Sequence, residues 1–270
     1  MMRSLWTAAS GMISQQTNVD VISNNLANIN TTGYKKESAE FKSLLYQTIQ
    51  EKAFDHNGDP KPSGIQVGLG VRNSAITSQY TQGILQETGN DYDLAITGKG
   101  FFMVRMPDGG TGYTRNGSFG LATGPEGMTI ATSDGYALLD STGQPIVIDP
   151  IYNPTDILID EFGQISYPND AGEHVPIGIE IGLAQFSNPA GLEKIANSLL
   201  RETEASGTAR MENDDPSLSR SKLRQGYLEG SNVKAVDEMV NLIVAQRAYE
   251  MNSKIITATD EMLQQANNLR

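Results

Sequence analysis

Residues 4–30 read SLWTAASGMISQQTNVDVISNNLANIN, and the spacing of apolar side chains in this run decides the fold. Leu5, Met12, Val19 and Leu26 fall seven apart, and Ala8, Gln15, Ile22 and Ile29 form a second series three residues on. All of these positions but Gln15 are apolar, which marks an a/d helix seam. The spacing predicts a helix from about Ser4 to Asn30. Thr31, Thr32 and Gly33 read as its stop, with Gly33 suited to a left-handed position after the last turn. The only charged side chain between residues 4 and 32 is Asp20, and the polar positions include Gln15, Gln16, Asn18, Asn24, Asn25 and Asn28. A solvated helix usually carries Lys and Glu on its outer face. An amide-coated one suits a helix surrounded by other helices or lining a wet, uncharged surface. An ordinary amphipathic helix packed on its own domain is the alternative.

Outward from this run the chain changes character and then changes back. Of the 27 glycines and 11 prolines, 22 and ten lie between Gly58 and Gly191, while residues 227–270 hold one glycine and no proline. Both residues punctuate strands and turns and are poor in helix interiors, so the reading is helix, β-rich middle, helix. The last segment, about Asn232 to Asn268, repeats the helical pattern, with Asn232 or Ser231 as its cap. Leu242, Tyr249, Ile256 and Leu263 form one seven-residue series, Ala248, Ile255, Met262 and Leu269 another, and Val244, Met251 and Ala258 widen the stripe. A helix apolar over so wide an arc must bury more than one face. A helix at the other end of the chain would cover one face. The second points to other molecules, or else to the central domain.

The middle reads as short strands and tight turns over about 94–190. Phe101-Phe102-Met103-Val104 follows Gly98-Lys99-Gly100, Pro107-Asp108-Gly109-Gly110 is a turn, and Asn116-Gly117 is a hairpin signal. Ser133-Asp134-Gly135 and Ser141-Thr142-Gly143 repeat the rhythm. The class is α+β: terminal helices forming a coiled-coil-like assembly domain, with a central all-β domain. The expected organisation is an N-terminal assembly helix over 1–34 pairing with a C-terminal one over 227–270. A connecting region spans 35–93, with a short helix at Lys36 to Ile49 and a polar extension over 50–64. The β domain spans 94–200 and a return linker 201–226.

The 270 residues include 20 Lys and Arg, 32 Asp and Glu and no Cys, for a net charge of −12. This acidity argues against nucleic-acid binding, which needs a basic footprint, and against anionic membranes. Zero Cys excludes disulfides, thiolate nucleophiles and Cys-ligated zinc. No run approaches the ~18 apolar residues of a bilayer-spanning helix. Met1 to Ile13 lacks a cleavable Sec signal, because Arg3 is a thin basic region and Ser4, Thr7 and Ser10 break the apolar stretch. His56 and His174 lie in turn-like contexts with no ligand or nucleophile pattern nearby. Asp55 to Asp59 opens like a calcium loop, but Pro60 stands where Gly is needed and Gln66 where Glu is needed. Asp160 and Glu161 are adjacent, so in a strand they face opposite sides. These patterns supply no catalytic residue, no cofactor site and no metal ligand. A secreted carboxylate-based hydrolase is the rival class, and a binding module using the β domain alone is another.

Ser23-Asn24-Asn25-Leu26-Ala27-Asn28-Ile29-Asn30-Thr31-Thr32-Gly33-Tyr34-Lys35 resembles the N-terminal signature of flagellar axial proteins, the rod, hook and hook-associated family. Ile96 to Phe102 with Tyr113 to Phe119 resembles that family's β domain. Glu229 to Val233, Met239-Val240 and Gln246 to Lys254 resemble its C-terminal signature. The length and Phe41 to Ile49 are most similar to the distal-rod branch, with proximal rod and hook-type branches as alternatives. The resemblance implies a structural, non-enzymatic subunit. It would polymerise helically into a rigid hollow drive shaft that transmits torque and encloses the export channel. Implied partners are further copies of itself, proximal rod proteins and the hook protein at its ends, a ring bushing where an outer membrane is present, and the flagellar type III export apparatus. Nucleic acid and bilayer insertion are not expected. The implied location is the flagellar basal body outside the cytoplasmic membrane, in periplasm or cell wall, reached without a cleaved Sec signal. The expected assembly interface comprises Leu5, Met12, Val19, Ile22, Leu26, Ile29, Val233, Met239, Leu242, Tyr249, Ile255, Ile256, Met262 and Leu263. Asp55, Asn57, Asp59, Pro60 and Pro62 form the expected rod-stiffening loop.

Overall fold

A computed structural model describes residues 2–50, 64–124, 127–169 and 173–268. The chain forms two compact units: Met1–Ala27, Glu37–Ser78 and Lys234–Arg270 make the first, and Asn28–Lys36 and Gln79–Val233 the second. As the sequence predicts, helices at the two ends flank a β-rich middle.

The first unit holds α1 (Met2–Ala27), β1 (Glu37–Ser43), β2 (Tyr46–Gln50), β3 (Ile65–Gly68), β4 (Val71–Ser78) and α2 (Ala235–Asn268). The helices run antiparallel. Gly11 of α1 meets Asn252, and further along α1 the Asn25 amide donates to Glu238 Oε2 at 3.2 Å. A Cβ at Gly11 would stand 2.9 Å from the Asn252 amide nitrogen, so glycine sets how closely the helices approach.

α1 stops at Ala27, three residues before its expected end, and Ile29 falls outside it. The Asn-rich end competes with the helix: Asn28 accepts from the Thr31 N–H at 3.2 Å and, through its side chain, from the Thr31 hydroxyl at 3.1 Å. α2 begins at Ala235 and not at the expected Asn232. The Lys234 carbonyl accepts from the Glu238 N–H at 3.1 Å. Asn232 is engaged within the second unit, accepting from the Lys36 N–H at 2.7 Å and donating to the Gln79 carbonyl at 2.8 Å.

The short helix expected over Lys36 to Ile49 is instead two strands. β1 pairs antiparallel with β4 and β2 with β3. Hydrogen bonds from the Leu44 N–H to the Gly70 carbonyl and from the Leu69 N–H to the Leu45 carbonyl join the pairs into one long ribbon. The reason is tertiary: the strand pairing satisfies backbone groups along the whole segment, and a helical count of apolar residues does not register a partner strand.

The second unit is built around β7 (Phe101–Arg105), preceded by β5 (Leu85–Glu87) and β6 (Leu94–Thr97) and followed by β8 (Thr111–Thr114). β7 and β8 are central in a six-stranded sheet whose other strands are Glu193–Lys194, Leu200–Arg201, Leu183–Gln185 and Arg210–Met211. Phe102 and Val104 join a cluster with Phe119, Ile130, Leu138, Ile146 and Ile165. Phe101 and Met103 join another with Tyr113, Leu139 and Ala184. The continuous apolar run of β7 is therefore that of a strand buried on both faces.

Two sequence expectations change here. Residues 201–226 are no linker. Arg210–Met211 extends the large sheet and Lys222–Gln225 pairs with β6. Glu212 is buried, accepting from Gln185 and from the backbone and hydroxyl of Ser221. A polar segment enters the fold when its partners are polar and present. Asn116-Gly117 is no hairpin turn either. β8 pairs with β7, whereas the next strand, Phe119–Gly124, belongs to a different sheet. Gly117 sits where the chain passes between sheets, its carbonyl accepting from the Leu94 N–H at 3.0 Å. A Cβ there would lie inside the Leu94 carbonyl oxygen. Gly109, Gly135 and Gly143 do occupy the left-handed turn positions their sequences indicate, with φ of 82°, 87° and 81°.

A buried ionic cluster ties three segments of the second unit. Lys35 Nζ donates to Glu229 Oε1 at 2.6 Å and to the Thr81 carbonyl at 2.8 Å. Arg115 Nη1 donates to Glu229 Oε2 at 3.2 Å, and the Gly83 N–H donates to Oε1 at 2.8 Å. The Glu229, Arg115 and Lys35 side chains are 0%, 3% and 5% exposed. Burial pulls the Lys35 and Arg115 pKa values below their ordinary range, against the pull of Glu229. Gly33, with φ of 69°, completes the junction by donating its N–H to the Glu229 carbonyl at 2.8 Å.

Candidate functional site

α1 carries three different surfaces, and each follows from its sequence. Ala8 and Ile22 are buried, with Leu5, Met12, Val19 and Leu26 half-buried. These are positions of the seven-residue seam, and α1 packs on α2. A second stripe, Ser10, Thr17 and Asn24, also falls seven apart. Thr17 Oγ1 accepts from Asn73 Nδ2 at 2.6 Å, Ser10 Oγ accepts from the Val71 N–H at 3.3 Å, and Asn24 donates to Glu37 Oε2 at 3.5 Å. Beside it, the Asn25 amide both donates to the Glu37 carbonyl at 2.8 Å and accepts from the Glu37 N–H at 2.9 Å. Part of the uncharged polar coat is thus a hydrogen-bonding ledge for the ribbon. Apolar periodicity misses these residues; a search for a seven-residue period in small polar side chains finds them. The third surface holds Trp6 and Ile13, 73% and 64% exposed.

α2 divides the expected interface residues. Leu242, Ile256 and Leu263 are half-buried, and the buried positions of the helix are Glu238, Ala245 and Thr259. Met239, Tyr249, Ile255 and Met262 are exposed. Val236, Val240, Ile243, Val244 and Met251 are exposed beside them, with Val236 at 68%. Val233 and Ile29 lie in the second unit, the first buried and the second half-buried. The expected set therefore combines a seam within the chain and an outward apolar face on α2. Fully burying one such side chain contributes roughly 1.5–3 kcal/mol, so a face of this many residues left in water marks an interaction surface.

The ribbon adds a second surface. Leu45, Tyr46, Ile49 and Ile65 are exposed, Leu45 at 83%. A two-stranded ribbon is marginal on its own in water, and among the described residues this apolar part is exposed. The expected stiffening loop residues Asp55, Asn57, Asp59, Pro60 and Pro62 lie outside the described residues, between β2 and β3.

Chemistry of other kinds has little support. His174 is the exposed first residue of the strand His174–Glu180, and His56 lies outside the described residues. Glu161 pairs with Lys222 at 2.7 Å in solvent. Among the described residues, no group of three His, Cys, Asp or Glu is placed to hold a metal ion, and no helix is long and apolar enough to cross a membrane.

Comparison with known proteins bears directly on these surfaces. A family described as flagella basal body rod protein matches residues 5–35, and one described as the flagellar hook protein FlgE/F/G D1 domain matches 95–167. A third, flagellar basal body rod FlgEFG protein C-terminal, matches 224–269. The chain is 45% identical to the flagellar basal-body rod protein FlgG of Borreliella burgdorferi over 100% of this chain and 99% of that protein. It is 40% identical over the full length of both chains to FlgG of Bacillus subtilis. Against the flagellar hook-basal body complex protein FlhP of the same organism the identity is 31%, also over the full length of both.

Proposed function

The chain belongs to the flagellar basal-body rod family of which FlgG is a member, and from that premise we infer that it is a structural subunit of the distal rod. It is not an enzyme. The observation that carries the reading is the outward apolar face of α2, Met239, Val240, Ile243, Val244, Met251, Ile255 and Met262, exposed on a helix whose other side already packs on α1. A soluble enzyme or a free β module has no use for such a face. A subunit that completes its core with other copies does, and contacts that do not close on themselves extend into a helical polymer.

The polymer is a hollow shaft that transmits torque and encloses the export path. Its ends meet proximal rod proteins and the hook protein, and a ring bushing surrounds it where an outer membrane is present. The subunit is exported by the flagellar type III apparatus to the periplasm or cell wall. The higher identity to FlgG than to FlhP of one organism, 40% against 31%, favours the distal rod over another hook-basal body component. Negative-stain microscopy of concentrated full-length protein tests the reading. Straight tubes are expected; a protein that stays monomeric at every concentration, with its β unit folded, overturns it.

A further inference from the structure

Lys42 of β1 and Arg72 of β4 are direct cross-strand partners. Like charges in this position repel and destabilise a sheet. Among the described residues neither has an ion-pair partner. Glu40, two residues along β1 from Lys42 and beyond a register shift, is engaged by the Thr77 hydroxyl at 3.2 Å. The direction in which the two cations point is settled by the ribbon itself. The neighbouring pair is Phe41 with Asn73, and the Asn73 amide reaches Thr17 of α1. Side chains alternate along a strand, so Lys42 and Arg72 project from the face turned away from α1.

On the helix pair lies a groove of about 370 Å³ lined by Gln16, Val19, Gln246, Tyr249 and Glu250. It offers two amide oxygens, an aromatic ring and a carboxylate, the set of groups that receives an ammonium or guanidinium. Arg247 takes Glu250 Oε2 at 2.9 Å, but those side chains are 73% and 52% exposed, so the pair is weak and Oε1 stays open to a stronger partner. The groove lies between α1 and α2, while the cations leave the ribbon on the side away from α1, and among the described residues the two do not meet within one chain.

We infer that Lys42 and Arg72 of one copy seat in the α1–α2 groove of a neighbouring copy, with Glu250 as counter-charge and the Tyr249 ring as the stacking surface. The occupant is a second copy of this chain, because charge complementarity pairs two features that each copy carries and does not itself match. The inference rests on the polymer reading above and names one of its contacts.

The absence of native cysteine makes the test direct. Full-length Lys42→Cys and Glu250→Cys variants are mixed, concentrated until tubes are seen, and treated with a short bifunctional maleimide. A covalent dimer is expected in the tubes and not in dilute monomer. An exposed site on the β unit, Glu193→Cys mixed with Glu250→Cys, supplies the background. Tubes with no dimer above that background overturn the contact and leave the polymer reading standing. An unmodified chain that forms no tubes overturns both. As a second measurement, Lys42→Gln with Arg72→Gln raises the concentration needed for tubes about tenfold at low salt, and the difference shrinks as salt is added. No difference at low salt also overturns the contact.

Discussion

Replacing Glu229 by Gln tests how the second unit is held together. The carboxylate is fully buried and meets Lys35 at 2.6 Å, Arg115 at 3.2 Å and the Gly83 N–H at 2.8 Å. Glutamine keeps the shape and one acceptor, but it removes the negative charge bonded to both cations and presents one of them with an amide N–H. Breaking a buried pair from one side costs about 3–5 kcal/mol, because the stranded charges cannot recover their hydration. For a unit of this size, 1 kcal/mol lowers the melting temperature by about 2–4 °C, so the expected fall is about 6–20 °C. Circular dichroism of full-length protein at neutral pH reads it. Lys35→Met should cost less, since Arg115 still neutralises the carboxylate. A Glu229→Gln protein melting within 2 °C of the parent would falsify the assignment of this cluster as the main tie between the Lys35, Arg115 and Tyr227–Glu229 segments.

Leu26→Asp or Ile256→Asp places a charge in the half-buried helix seam at a cost of a few kcal/mol; tubes should vanish in negative stain while the β unit keeps its melting transition. Deleting residues 51–63 should leave the β unit folded and give curved or flexible tubes, and straight tubes would argue against a stiffening role. Gly117→Ala should destabilise the second unit by about 3 kcal/mol or more, because the new methyl meets the Leu94 carbonyl oxygen and not a flexible side chain; an unchanged urea midpoint would contradict this. The Asp215 carboxyl is held at about 2 by the Ser217 hydroxyl, Arg210 and the Ser217 N–H. Its folded pKa lies below the ordinary 3.8. The stabilisation it gives its loop is therefore full above that value and lost as pH falls through about 2. An NMR titration should show Ser217→Ala moving this pKa upward, and no movement would remove the hydroxyl as its main cause.

What could be read from the chain alone was whatever depends on local periodicity. The seven-residue spacing of Leu5, Met12, Val19 and Leu26 and the Gly and Pro distribution determined the terminal helices and the β middle, because a helix or a tight turn writes its own repeat into neighbouring residues. The quoted signatures determined the family. The tertiary structure decided the rest. Residues 37–50 became strands because residues 65–78 lie alongside them, and residues 201–226 joined the β unit because Gln185 and β6 meet them. It also decided which apolar positions of α2 face α1 and which face water, since a wide stripe reads the same on both sides. Most of all, it brought Lys35, Arg115 and Glu229 together: a buried charge is tolerable only beside its counter-charge, and no spacing along a chain records a partner 194 residues away.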